Sequence, residues 1–294
     1  MGRSRAFSLT ELLVVVTIIA VLTAILFPVV SRAKAHAQAT VCLSNFKQAS
    51  LSIELYQSDY DDRYALSRYS TSLDATSKDD RTWVQLVLPY SRDFRLYHCP
   101  SDFTQRPESQ AVFDEDLVPG DTYSRYYTAS KRTNLGYNYL YLSPLTVMSA
   151  HLVAQSRSGM QVYDPSKMMV MGGSVHEVDA EGKPQGGGSY LIVPPCRYAL
   201  EGTFLRDTFK LDEVPDSAIF TGDLSWGVPG NRGGAGEMSQ FGGLWPWHNK
   251  HLTVAFADGH VKRMTLDQVS DGCSVRPNWS GHVYDHGRYL WDLD

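Results

Sequence analysis

The sequence predicts an α+β protein: a long N-terminal helix, transmembrane at first and amphipathic beyond, packed on an antiparallel β-sheet head with large loops. Three observations predict it. Twenty uncharged residues, LLVVVTIIAVLTAILFPVVS, run between Glu11 and Arg32. From Ala35 to Tyr56 apolar residues recur every three or four positions. Near the C-terminus two strand-like runs, Leu252–Ala257 and His260–Met264, flank Asp258-Gly259.

Composition sets the outer bounds. Across 294 residues, 43% are hydrophobic and 20% charged, which excludes a disordered polymer, a collagen-like fibre and a polytopic membrane protein. Four cysteines are too few for a disulfide-dense scaffold but permit two bridges. A net charge of −5 argues against a nucleic-acid binder that works by neutralising phosphates, so no nucleic-acid partner is expected. The charge is unevenly placed. Arg3, Arg5, Arg32 and Lys34 against Glu11 leave residues 1–40 at +3 and the rest at −8. The aromatics divide as sharply, since Phe7 and Phe27 alone precede residue 41.

The apolar run comes first. A helix of twenty residues rises ~30 Å, the thickness of a bilayer's hydrocarbon core. Arg3 and Arg5 on its N-terminal flank favour a cytoplasmic N-terminus. Three readings compete: a permanent anchor, a secretory signal peptide and a prepilin-type leader. Ala35-His36-Ala37 and Ala37-Gln38-Ala39 resemble signal-peptidase sites. Against that reading, the run exceeds a typical signal core, and Arg32 and Lys34 precede the cut. Glu11 is the feature that fits that reading least. A carboxylate at the edge of a membrane segment is costly and calls for a functional partner.

The stretch Ala6-Phe7-Ser8-Leu9-Thr10-Glu11-Leu12-Leu13-Val14-Val15 resembles the N-terminus of type IV pilins and type II secretion pseudopilins. The resemblance implies cleavage between Ala6 and Phe7 by prepilin peptidase, then methylation of the new Phe7 amine. It implies that Glu11, fifth from the cut, pairs with that amine on a neighbouring subunit. It also gives Pro28 the role of a helix-loosening proline. The family prefers glycine before the cut, where this chain has Ala6. Physically, an opposite charge from another chain compensates Glu11 inside lipid or a filament core.

Beyond Arg32 the helix turns amphipathic. Ala35, Ala39, Cys42, Phe46, Ala49, Ile53 and Tyr56 form one stripe, which predicts a single helix from about Leu9 to Gln57. Asp59, Asp61 and Asp62 mark its end as a solvated acidic turn, since the spacing lacks the glycine and distal glutamate of a calcium loop. The expected divisions are a leader at 1–6, an assembly helix at 7–31, its amphipathic continuation at 32–58 and a head at 59–294.

In the head, Ser67–Arg81 reads as a polar connector and Trp83–Leu88 as a short helix stopped by Pro89. Tyr137–Leu142 and Lys167–Met171 are strand candidates. Ala180–Ser189 and Gly227–Gly243 are glycine-rich loops without a phosphate-binding motif. Asp258-Gly259 predicts a two-residue type I′ hairpin. His248 precedes Asp258 by ten residues, and this His-x9-Asp-Gly segment looks like the signature of the prepilin-type H-X9-DG group. Three further segments resemble that group: Cys42-Leu43-Ser44-Asn45-Phe46-Lys47-Gln48, His98-Cys99-Pro100-Ser101-Asp102 and Asp164-Pro165-Ser166-Lys167.

Cys42 and Cys99 occupy positions within the resembling segments. Outside the cytoplasm a bridge between them would tie helix to head, worth roughly 2–4 kcal/mol, with two buried thiols as the alternative. Cys196 and Cys273 could pair by elimination. His248, His251 and His260 are weak candidates for a metal, set against a turn-making Asp258 and a hydrogen-bonding His248. No cofactor is expected. Trp226, Trp245, Trp247 and Trp279 are expected in core and lid packing.

The functional expectation is a non-enzymatic filament subunit. Its partners would be further copies of itself, other pilins or pseudopilins, prepilin peptidase and the inner membrane, with the head periplasmic or at the cell surface. The rival is a membrane-tethered extracytoplasmic ligand-binding protein or metal-dependent hydrolase exported with the same leader.

Overall fold

A computed structural model describes residues 8–69, 81–104, 129–148, 151–178, 183–194, 197–198, 243–275, 281–283 and 285–293. Ala6, Phe7, Cys196, Trp226 and Trp279 lie outside the described residues.

Helix α1, Leu9–Asp59, is the single long helix that the stripe predicts. Ser8 caps it reciprocally: its hydroxyl accepts the Glu11 N–H (3.2 Å), and the Glu11 carboxylate accepts the Ser8 N–H (2.9 Å). The helix passes through Pro28 without interruption. Along the apolar half, Thr17 and Thr23 turn their hydroxyls back onto carbonyls of their own helix, at 2.8 Å to Val14 and Ile19. That removes their polar atoms from any apolar surroundings. At the other end Asp61 and Asp62 take positive φ (52° and 58°) and reverse the chain, a conformation short polar side chains tolerate.

Burial divides α1 in two. Every large apolar side chain from Leu9 to Val30 is exposed. Ala39, Cys42, Phe46, Ala49, Ile53 and Tyr56 are buried, so all but the first member of the stripe face the head. Ala35 is exposed, because the head begins to cover the helix only at Gln38 and Ala39.

The head is built on a five-stranded sheet. Its strands are β1 Leu135–Asn138, β2 Met169–Gly173, β3 Leu191–Ile192, β4 Leu252–Phe256 and β5 Val261–Met264, in spatial order β5-β4-β2-β1-β3. Four of them are antiparallel neighbours, but β3 joins β1 in parallel, so the sheet is mixed rather than purely antiparallel. Along β4, Leu252, Val254 and Phe256 enter one apolar cluster while Ala255 enters the other, which contains the α1 stripe. Successive strand residues face opposite ways, so both faces of the sheet are covered. Helix α2, Trp83–Ser91, and the 3-10 turn Phe94–Tyr97 complete the seat of α1. Trp83 stacks on Tyr137 at 5.1 Å and donates its indole N–H to the Tyr190 carbonyl (2.6 Å).

Several local expectations are corrected. Helix α2 contains Pro89 and ends at Arg92, whose positive φ closes it. The strand at Tyr137 begins two residues earlier and gives way at Tyr139 to a short helix through Leu142. The Asp258-Gly259 turn is not type I′. Phe256 pairs with His260 (3.0 Å), Gly259 donates to the Phe256 carbonyl (2.9 Å), and only Gly259 of the pair has positive φ, at 78°. That is a three-residue loop with a glycine bulge. Positive φ at both central residues occurs instead at Asn249 (50°) and Lys250 (63°), where His248 and His251 exchange both backbone hydrogen bonds.

Two predictions follow from these placements. Phe46 is fully buried, and Phe46→Ala is expected to cost about 3–5 kcal/mol in a denaturant melt of the detergent-solubilised protein. Lys250 holds a left-handed backbone with a side chain attached. Lys250→Gly should therefore raise stability by about 0.5–1 kcal/mol, relief of αL strain outweighing the entropy glycine loses.

Candidate functional site

The first site is the uncovered half of α1. It presents an apolar surface on all sides, interrupted by Glu11 at its start. The helix is long and apolar enough to cross a membrane. Glu11 is exposed and turned back on Ser8, whose hydroxyl also donates to its carboxylate at 2.7 Å. The capping box holds this carboxylate against the first turn of the helix.

The second site is where the other half of α1 meets the head, and the segments singled out in the sequence converge there. From the helix, Cys42 and Phe46 are buried, Asn45 donates to the His98 carbonyl (3.3 Å) and Lys47 donates to the Gly259 carbonyl (2.7 Å). Each residue of the Cys-Pro-Ser-Asp turn has its own contact. Cys99 N–H and the Asp102 carboxylate both bind Asn134, at 2.8 and 2.7 Å. The Pro100 carbonyl accepts from Gln38 (2.8 Å), and Ser101 Oγ lies 3.3 Å from His248 Nδ1. In the Pro-Ser-Lys segment, Asp164 caps Ser166, and the Pro165 carbonyl accepts the Asp258 N–H (3.1 Å).

The two ends of His-x9-Asp-Gly therefore grip the same helix. His248 reaches toward Cys42 through Cys99, and Gly259 sits on Lys47 beside Glu54. A Cβ at Gly259 would meet only the movable ends of Glu54 and Lys47, so the turn's positive φ is what calls for glycine there.

Cys42 and Cys99 are brought together, but as two buried thiols rather than a disulfide. A hydrogen bond joins them; it lowers the Cys42 thiol and, together with burial, raises that of Cys99. Cys273 is disulfide-bonded. The three-histidine grouping is not formed. His248 is buried against Cys99 Sγ at 3.4 Å, whereas His251 is exposed and bonded to the Asn249 carbonyl. His260 stacks on Phe256 and holds Asp258. Among the described residues the group with metal-ligand geometry is Cys42, Cys99 and His248. Sequence reasoning paired the cysteines with each other and the histidines with each other. The signal it missed is that all three residues stand in segments already marked by resemblance. Trp245 and Trp247 are half-buried and meet edge to face, with Trp247 donating to the Ser174 carbonyl (2.9 Å).

Residues 1–27 match the family model described as the prokaryotic N-terminal methylation motif. No curated protein and no solved structure matches the chain. The N-terminus thus carries a prepilin-type methylation motif, and the helix it opens is long and apolar enough to cross a membrane before it continues into an α+β head.

Burial alone would raise the Asp258 carboxyl, but the backbone and ring N–H groups of His260 hold it below the usual carboxylate range. A depressed carboxyl contributes stability that is present above its unfolded pKa and lost as pH falls through the folded value. Asp258→Asn is expected to flatten the stability profile below about pH 4, measured by thermal melts across the acid range. An unchanged acid limb would contradict this role.

Proposed function

We propose that the chain is a pilin-like or pseudopilin subunit, processed by prepilin peptidase and assembled into a filament by packing of its N-terminal helix. The observation that carries this reading is the division of α1. Its second half is fixed to the head, and its first half offers an apolar surface from Leu9 to Val30 that no described residue covers. Such a surface requires lipid or other helices. The subunit would wait in the inner membrane with a cytoplasmic N-terminus and pass to a periplasmic or extracellular filament.

Glu11 supplies the registry. Its carboxylate already accepts hydrogen bonds at the helix start. After cleavage, the Phe7 amine of a neighbouring copy would replace or join these donors, and methylation would keep that amine cationic. The resemblance of the head segments to the H-X9-DG group supports the same assignment. The Cys42, Cys99 and His248 cluster is buried where α1 meets the head, a setting that favours a role in holding the two together.

Glu11→Ala is expected to leave leader removal and head folding intact while abolishing filaments, scored by electron microscopy of sheared surface fractions. Filaments of normal length and number from this variant would overturn the mechanism.

A further inference from the structure

We propose that Cys42, Cys99 and His248 form a structural zinc site that fastens α1 to the head. The three residues are buried, at 3%, 1% and 8% exposure, and their ligand atoms all lie within 4.8 Å of one another. The Cys99 Sγ to His248 Nε2 separation is 3.4 Å. A tetrahedral zinc with Zn–S about 2.3 Å and Zn–N about 2.0–2.1 Å needs an S–N edge of about 3.5 Å. The ligands come from the helix, from the turn after the 3-10 segment and from the Asn249-Lys250 hairpin. One ion there would cross-link three segments far apart in the chain.

The surroundings suit the ion. Ser101 Oγ lies 3.3 Å from His248 Nδ1. With Nδ1–H donated to that hydroxyl, Nε2 keeps its lone pair for the metal, the usual outer-shell arrangement for a ligating histidine. The buried Thr253 hydroxyl donates to Cys42 Sγ at 3.8 Å, an outer-shell contact to one of the sulfur ligands. Charge selects the ion. Zn²⁺ displaces the two thiol protons to solvent, and two thiolates with a neutral imidazole then leave the buried site at zero net charge. Cu⁺ would leave it negative.

The test uses the full chain in detergent, purified under reducing conditions. Elemental analysis should find about one zinc per chain. Cobalt substituted for zinc should show thiolate-to-cobalt charge-transfer absorption, lost in Cys42→Ser. Ser101→Ala leaves every ligand in place, and should weaken zinc binding about 10-fold or more in chelator competition without unfolding the head. Three outcomes would overturn the proposal: protein that holds neither zinc nor cobalt, a site that takes Cu⁺ but not zinc, or a Cys42–Cys99 disulfide in freshly isolated protein. None of these readouts depends on filament assembly, so the site and the assembly reading stand or fall separately.

Discussion

Burial of one face of α1 under the head is the constraint on which the rest depends. Phe46, Ala49 and Ile53 disappear beneath α2, β4 and the 3-10 turn, which fixes the second half of the helix to a rigid body. A rigid second half forces the first half to project as a continuous rod, since α1 runs through Pro28 without a break. No described residue covers the apolar surface that results. The head therefore determines the direction of the helix, and the helix determines what the chain must find.

The docking is polar as well as apolar, and that explains why sequence islands far apart look marked. Lys47 bonds the Gly259 carbonyl, Asn45 the His98 carbonyl and Gln38 the Pro100 carbonyl. These bonds specify the register of α1 on the head, adding directional contacts to the apolar stripe. Asp164-Pro165 and Asp258-Gly259 brace each other behind the same contact. The marked segments are thus parts of one clamp.

Much of this was legible in the chain. The helix span, its stripe and the hairpin at Leu252–Met264 follow from periodicity and from Asp-Gly. What failed was local. Asp258-Gly259 carries the sequence signal for the turn geometry that Asn249-Lys250 adopts, while Lys250 carries no turn signal and its positive φ is imposed by the exchanged bonds of His248 and His251. Tyr137–Leu142 reads as strand throughout, yet the sheet lets it go after Asn138, whose side chain bonds the Met169 and Trp291 carbonyls. The thiol–imidazole cluster was hidden for a different reason. Its members are separated by 57 and 149 residues, and no spacing rule spans such distances. Trp291, fully buried in the second cluster and bonded to the Val269 carbonyl, carried no pattern at all.

The central claim is that the exposed half of α1 belongs to a processed, assembling N-terminus. Mass spectrometry of the mature protein from membranes tests it most directly. The expected product is a chain that has lost residues 1–6 and begins with N-methylated Phe7. An intact Met1, or a start at Gln38 or Thr40, would contradict it.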